Sequence, residues 1–301
     1  MNFCKAEGTG NDFIIINNIE EKIPENELGL LAKHLCNRRF SIGADGLMAV
    51  CNPIKEKHDF RMLFFNADGS MGEMCGNGAR CICRYGFEKG LSGGRTVINV
   101  ETTAGTVTGE RLETAVYRVK MVNPSLIEEN YIELGSPGLP HVVIKYEGIS
   151  SYIKDKYTYN MNMSTYKSEE RIYRLAHSIR WSPSYHKGTN VNFYDIKTVI
   201  NNEGHEEKCI YLRTFERGVE DFTLACGTGC VATAIYIDML ERRRSTVKKS
   251  EKQPKSYKIH QQGGVLTVDI FTDKEKREIF LTGPANIIAE GTISTKYHTN
   301  N

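Results

Sequence analysis

Met74-Cys75-Gly76-Asn77-Gly78-Ala79 and Ala225-Cys226-Gly227-Thr228-Gly229-Cys230 decide how this chain is read. Each stretch sets a cysteine before a glycine, a small polar residue and a second glycine, and each opens a helix-like run. Ala79 to Tyr85 follows the first, and Cys230 to Tyr236 follows the second. The two cysteines stand half a chain length apart. A cysteine at a helix start sits at the positive end of the helix dipole, among N–H groups outside the intrahelical ladder. That setting lowers a thiol's pKa and makes a site for a carboxylate. One such loop in each half predicts a duplicated fold with two thiols facing one pocket.

Working outward, the same order of elements is expected on both sides. In the first half Phe3 to Asn17 reads as two strands about the Gly8-Thr9-Gly10-Asn11-Asp12 turn. Leu28, Leu31, Ala32 and Leu35 recur at helix spacing within Glu25 to Asn37. Strands are expected at Leu47 to Cys51, Phe60 to Phe65, Val97 to Thr108 (a pair about Ala104-Gly105) and Tyr117 to Val122. In the second half His141 to Ile144 matches Phe13 to Ile16 as a buried strand. A helix follows at Glu169 to Ile179, with Ser168 as its N-cap. Strands come next at Asn190 to Tyr194 and Ile210 to Phe215, then the turn Glu216-Arg217-Gly218 before Cys226. Thr246 to Tyr257 reads as a charged, solvated loop, and strands at Ile259 to Phe271 and Ile279 to Thr292 close the pattern. The fold class is therefore α/β (α+β): two pseudo-symmetric domains, each a curled sheet or small barrel wrapped on one apolar helix. Two such domains would meet at a cleft, a common place for a ligand.

Composition narrows the class. The chain has 301 residues, 40% hydrophobic and 25% charged, the profile of a soluble globular protein. Its 39 Lys and Arg against 37 Asp and Glu give a net charge of +2, no general attraction to nucleic acid or an anionic membrane. The basic cluster at Arg242, Arg243, Arg244, Lys248, Lys249, Lys252 and Lys255 lacks an aromatic stacking platform. The start of the chain shows no apolar signal region, and no apolar run spans a bilayer. Nine cysteines, an odd number, fit a reducing cytoplasmic setting better than a disulfide scaffold. Cys4, Cys36, Cys51 and Cys209 read as buried small hydrophobes, and Cys81 and Cys83 as packing on the first central helix. No Cys-x-x-Cys pair and no metal-ligand spacing accompany the two key thiols, so no metal is expected. No dinucleotide fingerprint or phosphate loop is present, so no cofactor is expected. The expected partner is a small-molecule amino acid, with no nucleic acid and no membrane, and a homodimer is the assembly considered.

At the thiol loops and their flanks the chain resembles the diaminopimelate epimerase family, amino-acid racemases that use no pyridoxal phosphate. The matching stretches are Gly10 to Phe13, Gly43 to Gly46, Phe65 to Ser70 and Glu73 to Gly78 in the first half. Pro140-His141, Gly188 to Val191, Glu216 to Gly218, Ala225 to Gly229 and Leu281 to Ala285 continue it in the family's order. The resemblance implies that Cys75 and Cys226 are the two acid/base thiols. It implies that Gly76, Asn77, Gly227 and Thr228 hold the reacting carboxylate, and that Asn11, Asn66, Asn190, Glu216 and Arg217 line the pocket and hold the far end of the substrate. It also implies two barrel-like domains, residues 1–115 with 284–301 returning to them, and residues 116–283. The reaction implied interconverts LL- and meso-diaminopimelate, a step of lysine and peptidoglycan-precursor biosynthesis. Two departures bear on the substrate's distal end: Leu139 precedes Pro140 where many members have Asn, and Phe222 stands where an acidic residue is frequent.

The chemistry calls for these residue types. Inverting a weakly acidic α-carbon means removing a proton from one face and adding one to the other. Two groups do this without turning the substrate, one starting as thiolate and the other as thiol. Helix N-termini aimed at the carboxylate stabilise the carbanion, and an arginine takes a second carboxylate in two parallel bonds. The nearest alternative is a racemase of another amino acid, such as histidine, on the same fold. Asn66, Asn190 and Arg217 favour diaminopimelate, while Leu139 favours the alternative. A thiol redox protein with a reversible Cys75–Cys226 disulfide leaves Arg217 and the asparagines unexplained. So does a binding module with two helix-capping core cysteines.

Overall fold

A computed structural model describes residues 1–72, 75–153, 166–200, 204–244, 254–273 and 276–294. The chain divides into two compact units, Met1–Lys120 with Gly283–Asn301, and Met121–Thr282.

The first unit runs β1 (Asn2–Gly8), β2 (Asn11–Asn17), α1 (Asn18–Glu21), α2 (Leu28–Leu35), β3 (Gly46–Cys51), β4 (Phe60–Asn66), α3 (Gly76–Glu88), β5 (Val97–Thr102), β6 (Gly105–Glu113) and β7 (Val116–Met121). β1 and β2 are antiparallel, β2 and β3 parallel, β3 and β4 antiparallel. β4 and β5 are parallel, and β5–β6 and β6–β7 antiparallel. A parallel step needs a crossover connection, and α2 and α3 lie in the two crossovers. α3 touches β1 and β2 near one end of this strip and β5 and β6 near the other, so the sheet curls around it. Every residue from Gly76 to Cys83 is buried, which leaves those two turns of α3 no solvent face. Ile14 and Ile16 of β2 pack with Leu28, Leu31 and Leu35 of α2, while Phe13 lies beside Gly78 of α3. With helices on both faces, Phe13 to Ile16 is apolar throughout instead of alternating.

The second unit runs β8 (Pro124–Glu128), β9 (Tyr131–Leu134), β10 (Leu139–Lys145), α4 (Tyr166–Arg180), β11 (Asn190–Ile200), β12 (Glu206–Glu216), β13 (Asp221–Phe222), α5 (Gly227–Arg244), β14 (Lys255–Gln261), β15 (Gly264–Asp273) and β16 (Lys276–Pro284). From β9 the pairing senses repeat those of the first unit from β1. β9–β10 is antiparallel, β10–β11 parallel, β11–β12 antiparallel and β12–β14 parallel. β14–β15 and β15–β16 are antiparallel. α5 touches β9, β10, β11, β14 and β15, and it is buried without a break from Gly229 to Ile235. α4 covers the other face, where Ile172 and Ala176 join Val191, Phe193 and Phe215. The last strand, β17 (Asn286–Thr292), adds to β1 of the first unit as β8 adds to β9 of the second.

The mixed α/β class and the curled sheets on central helices are as expected, and several boundaries move. The expected helix at Glu25 to Asn37 is a 3-10 turn, Glu25–Glu27, followed by α2 over Leu28–Leu35. Ser168 lies inside α4, not at its cap. β8 and β9 were not expected as strands: β8 carries no clear alternation, and the alternation of β9 spans only four residues. Lys255 to Tyr257 belongs to β14, where Lys255 bridges to Asp238, so the expected loop is shorter there. Lys248, Lys249 and Lys252 lie outside the described residues. No helix among the described residues is long and apolar enough to cross a membrane.

Candidate active site

Cys75 is the N-cap of α3. Its extended backbone (φ −107°, ψ 157°) turns the sulfur back over the helix start, where Sγ accepts the Gly78 N–H at 3.2 Å. Cys226 stands in the same relation to α5, its Sγ accepting the Gly229 N–H at 3.3 Å. The glycines are needed for close approach. A Cβ on Gly78 would lie 2.6 Å from Met48 Cε, and one on Gly229 would lie 2.5 Å from Asn192 Oδ1 and 2.7 Å from Thr214 Oγ1. All nine cysteines are free thiols, and Cys4, Cys36, Cys51, Cys81, Cys83 and Cys209 are buried as expected. Among the described residues, no group of three or more His, Cys, Asp or Glu side chains is placed to hold a metal ion.

In the first unit Cys75 has Asn11 beside it, and Asn66 and Asn77 are held in place by their own neighbours. The Cys75 thiol lies 3.7 Å from Asn11 Oδ1, and Asn11 Nδ2 donates to Asp45 at 2.6 Å. Arg38 then joins Asp12 and Asp45, and Lys5 adds a bond to Asp12 at 2.7 Å. Burial works against the Asp12 carboxylate, yet Arg38 and Lys5 outweigh it and hold its pKa down to about 2. Asn66 closes its own turn by donating to Ser70 at 3.0 Å. Asn77 is buried, and its side-chain oxygen accepts from Thr9 and from Arg80. Glu73 and Met74 lie outside the described residues.

Around Cys226 the second unit brings together Thr228, Asn190, Glu216 and Arg217. Thr228 Oγ1 is 3.4 Å from the sulfur. Asn190 Oδ1 accepts the Arg217 N–H at 2.8 Å, and Arg217 Nη1 donates to the Lys187 carbonyl at 2.9 Å. Thr223 Oγ1 donates to Glu216 at 2.6 Å. The expectation of a lowered thiol pKa fails at Cys226. Burial pushes the thiol well above its ordinary range and the Glu216 carboxylate adds to this, outweighing the bonds from Thr228 and Gly229. Cys226 therefore rests as a protonated thiol.

Sequence reasoning missed the supports beneath both loops. Arg80 is fully buried and donates to Thr9 Oγ1 at 3.0 Å, Asn77 Oδ1 at 3.1 Å and the Gly76 carbonyl at 3.1 Å. In the second unit Gln261 Oε1 accepts the Cys226 N–H at 2.9 Å. Asn192 accepts from Thr214 at 3.0 Å and donates to the Val142 carbonyl at 3.0 Å. Asn192 Nδ2 also meets His141 Nδ1 at 3.2 Å, which leaves the hydrogen on His141 Nε2, buried without a hydrogen-bond partner among the described residues. Burial lowers the His141 pKa to about 3, so the imidazole is neutral. Only polar side chains inside strands that otherwise read as core hint at this layer. Phe222, in place of the frequent acid, packs against Phe193 and Phe215 with Arg213 over its ring at 4.3 Å.

Comparison with known proteins agrees with this architecture. The chain is 33% identical to the diaminopimelate epimerase of Aquifex aeolicus over 98% of both chains. It is 32% identical to that of Halothermothrix orenii, over 97% of this chain and 98% of the other. Among solved structures, a Bacillus anthracis phenazine biosynthesis protein of the PhzF family superposes with a TM-score of 0.65 at 14% identity, covering 97% of this chain and 98% of the other. A probable proline racemase from Agrobacterium radiobacter K84 gives 0.61 at 17%, over 99% and 94% of the chains, so the two share the fold. The sequence profile described as diaminopimelate epimerase matches residues 3–127 and 161–288, and the chain belongs to that family.

Proposed function

We propose that this chain interconverts LL- and meso-diaminopimelate, moving one proton at the α-carbon with two thiols and no organic cofactor. The observation that carries the reading is the pair of matching thiol caps, each sulfur 3.2–3.3 Å from the third N–H of a central helix. In this reading Gly76 and Asn77 with Gly227 and Thr228 offer N–H groups to the reacting carboxylate, where the carbanion's charge gathers. Cys226, held as a thiol by burial and Glu216, returns a proton to one face. Cys75, more exposed, removes the proton from the other face, and the roles exchange in the reverse direction. Arg217, tied through its backbone to Asn190, takes the distal carboxylate, and Asn11 and Asn66 are the polar groups that the first unit contributes to substrate binding in this reading. A homodimer completes the reading, and light scattering tests it.

The experiment uses LL-diaminopimelate and a panel of other amino acids in heavy water, with α-deuterium read by mass spectrometry and isomers by chiral chromatography. Deuterium entering the product isomer of diaminopimelate is the expected result. Exchange into a different amino acid, with none into diaminopimelate, would overturn the substrate assignment.

A further inference from the structure

We infer that Arg180 and Glu220 form a positioning pair that holds the Arg217 turn in its substrate-binding geometry. This rests on the reading of Arg217 as the group that binds the distal carboxylate. Arg180 is the last residue of α4, and it is buried, at 8% exposure, in spite of its charge. Its Nε and Nη2 donate to the same oxygen, Glu220 Oε1, at 3.0 and 2.8 Å. That oxygen also accepts the Gly218 N–H at 2.9 Å, and the Glu220 N–H closes the turn on the Glu216 carbonyl at 2.8 Å. Glu220 takes a left-handed backbone (φ 59°), a conformation a glutamate keeps only where its surroundings fix it. Arg217 lies inside this closed turn.

The same guanidinium reaches the second loop. A Cβ on Gly188 would collide with Arg180 Nη1, so the guanidinium packs against that backbone. Gly188 follows Lys187, whose carbonyl accepts Arg217 Nη1, and precedes Asn190, whose side chain accepts the Arg217 N–H. Arg180 thus sets both walls between which Arg217 is held. Neither Arg180 nor Glu220 was read as a functional residue from the sequence, because each looks like an ordinary surface charge. Trp181, the single tryptophan of the chain, lies 4.4 Å from the Arg180 guanidinium and reports on it.

The test is a double-mutant cycle of Arg180→Gln and Arg217→Ala, read three ways. Amide exchange of the Glu216–Glu220 segment should rise in Arg180→Gln, while alkylation of Cys226 and the circular dichroism stay those of the parent. KM for diaminopimelate should rise about tenfold in Arg180→Gln with kcat little changed, as expected for loss of one charge-assisted bond's worth of geometry. In the Arg217→Ala background the Arg180 change should add less than about twofold, because the residue it positions is gone. Arg180→Lys should restore part of the KM, and Trp181 emission should confirm that the end of α4 is intact. Unchanged exchange in Arg180→Gln would overturn the positioning role. Equal KM increases in both backgrounds would also overturn it, assigning Arg180 to general stability. Raised exchange with a parental KM in Arg217→Ala would instead overturn the distal-carboxylate reading and reduce the pair to a structural clamp.

Discussion

The loops at Cys75 and Cys226 have one backbone design and two different undersides. Five residues past Cys75 stands Arg80, fully buried, a guanidinium bonded to the turn at Thr9 and to the start of its own helix. Five residues past Cys226 stands Val231, equally buried and apolar. The support there is a neutral set of Gln261, Asn192 and Thr214. Duplication has therefore kept the capped thiol and its third-position glycine, while each unit found its own way to brace them. In the proposed reaction it is the backbone of the loop that is constrained. What lies under it answers only to burial and hydrogen-bond satisfaction.

The largest test of this comparison removes a thiol. Cys75→Ser and Cys226→Ser should each lower racemisation by about 10²–10⁴-fold, since inversion needs an acid or base on both faces. Each variant keeps one thiol, so a β-halogenated analogue that loses halide on proton removal should separate them by opposite isomer preference. Two Cys→Ser variants that racemise at the parent rate would break the comparison altogether.

Next in size is the buried arginine. Arg80→Met takes the guanidinium donors away from Thr9, Asn77 and Gly76 and should cost about 3 kcal/mol in a urea titration. Val231→Ala should cost less, about 1–2 kcal/mol for the lost methyl groups and the space they leave. Equal costs would mean that Arg80 is only filler.

The glycines should differ too. Gly229→Ala drives a methyl against two side-chain oxygens of a bonded network, and about 1–3 kcal/mol should be lost. Gly78→Ala meets the flexible end of Met48 and should lose under about 1 kcal/mol. Reversed melting-temperature shifts would show that the Asn192 network yields more easily than a methionine.

The last test is an order of events in acid. His141, its pKa about 3 when folded, takes up a proton near 6.5 when unfolded. The stability it gives is present above about pH 6.5 and is lost as pH falls toward 3. Asp12, at about 2 when folded and near 3.8 when not, gives stability present above about pH 4 and lost between there and 2. The second unit should loosen first. Trp181 emission, which belongs to the second unit, should shift before amide exchange rises in Asn2–Asn17 of the first. His141→Gln should remove the lead.

Much of this was legible because the signals were local. A cysteine before Gly-x-Gly is a helix cap on chemical grounds, and Phe13 to Ile16 is too uniformly apolar to be anything but a strand covered on both faces. β8 and β9 were not legible, because Pro124–Glu128 and Tyr131–Leu134 are short and part-exposed and owe their pairing to neighbours. Arg80, Arg180 and Glu220 were missed for the opposite reason, since a charge reads as solvated until its partners, far along the chain, are in place. The rise in the Cys226 pKa was also hidden. The helix end that lowers it is written next to the cysteine, and the burial that overrides it is spread over several strands.

β17 has a further consequence, for the order in which the chain is made. The first unit takes its edge strand from Asn286–Thr292, and Arg80 Nε and Arg84 Nη1 donate to the carbonyls of Pro284 and Ala285 just before it. All of Met121–Thr282 is synthesised before those partners exist. The unit that emerges first is therefore finished last, and the Nε of its buried guanidinium waits for the Pro284 carbonyl until the second unit has had time to fold. A chain stopped at Thr282 would lose the edge strand of the unit that carries Cys75, with the Pro284 and Ala285 carbonyls that Arg80 and Arg84 use, and would keep the described supports of Cys226.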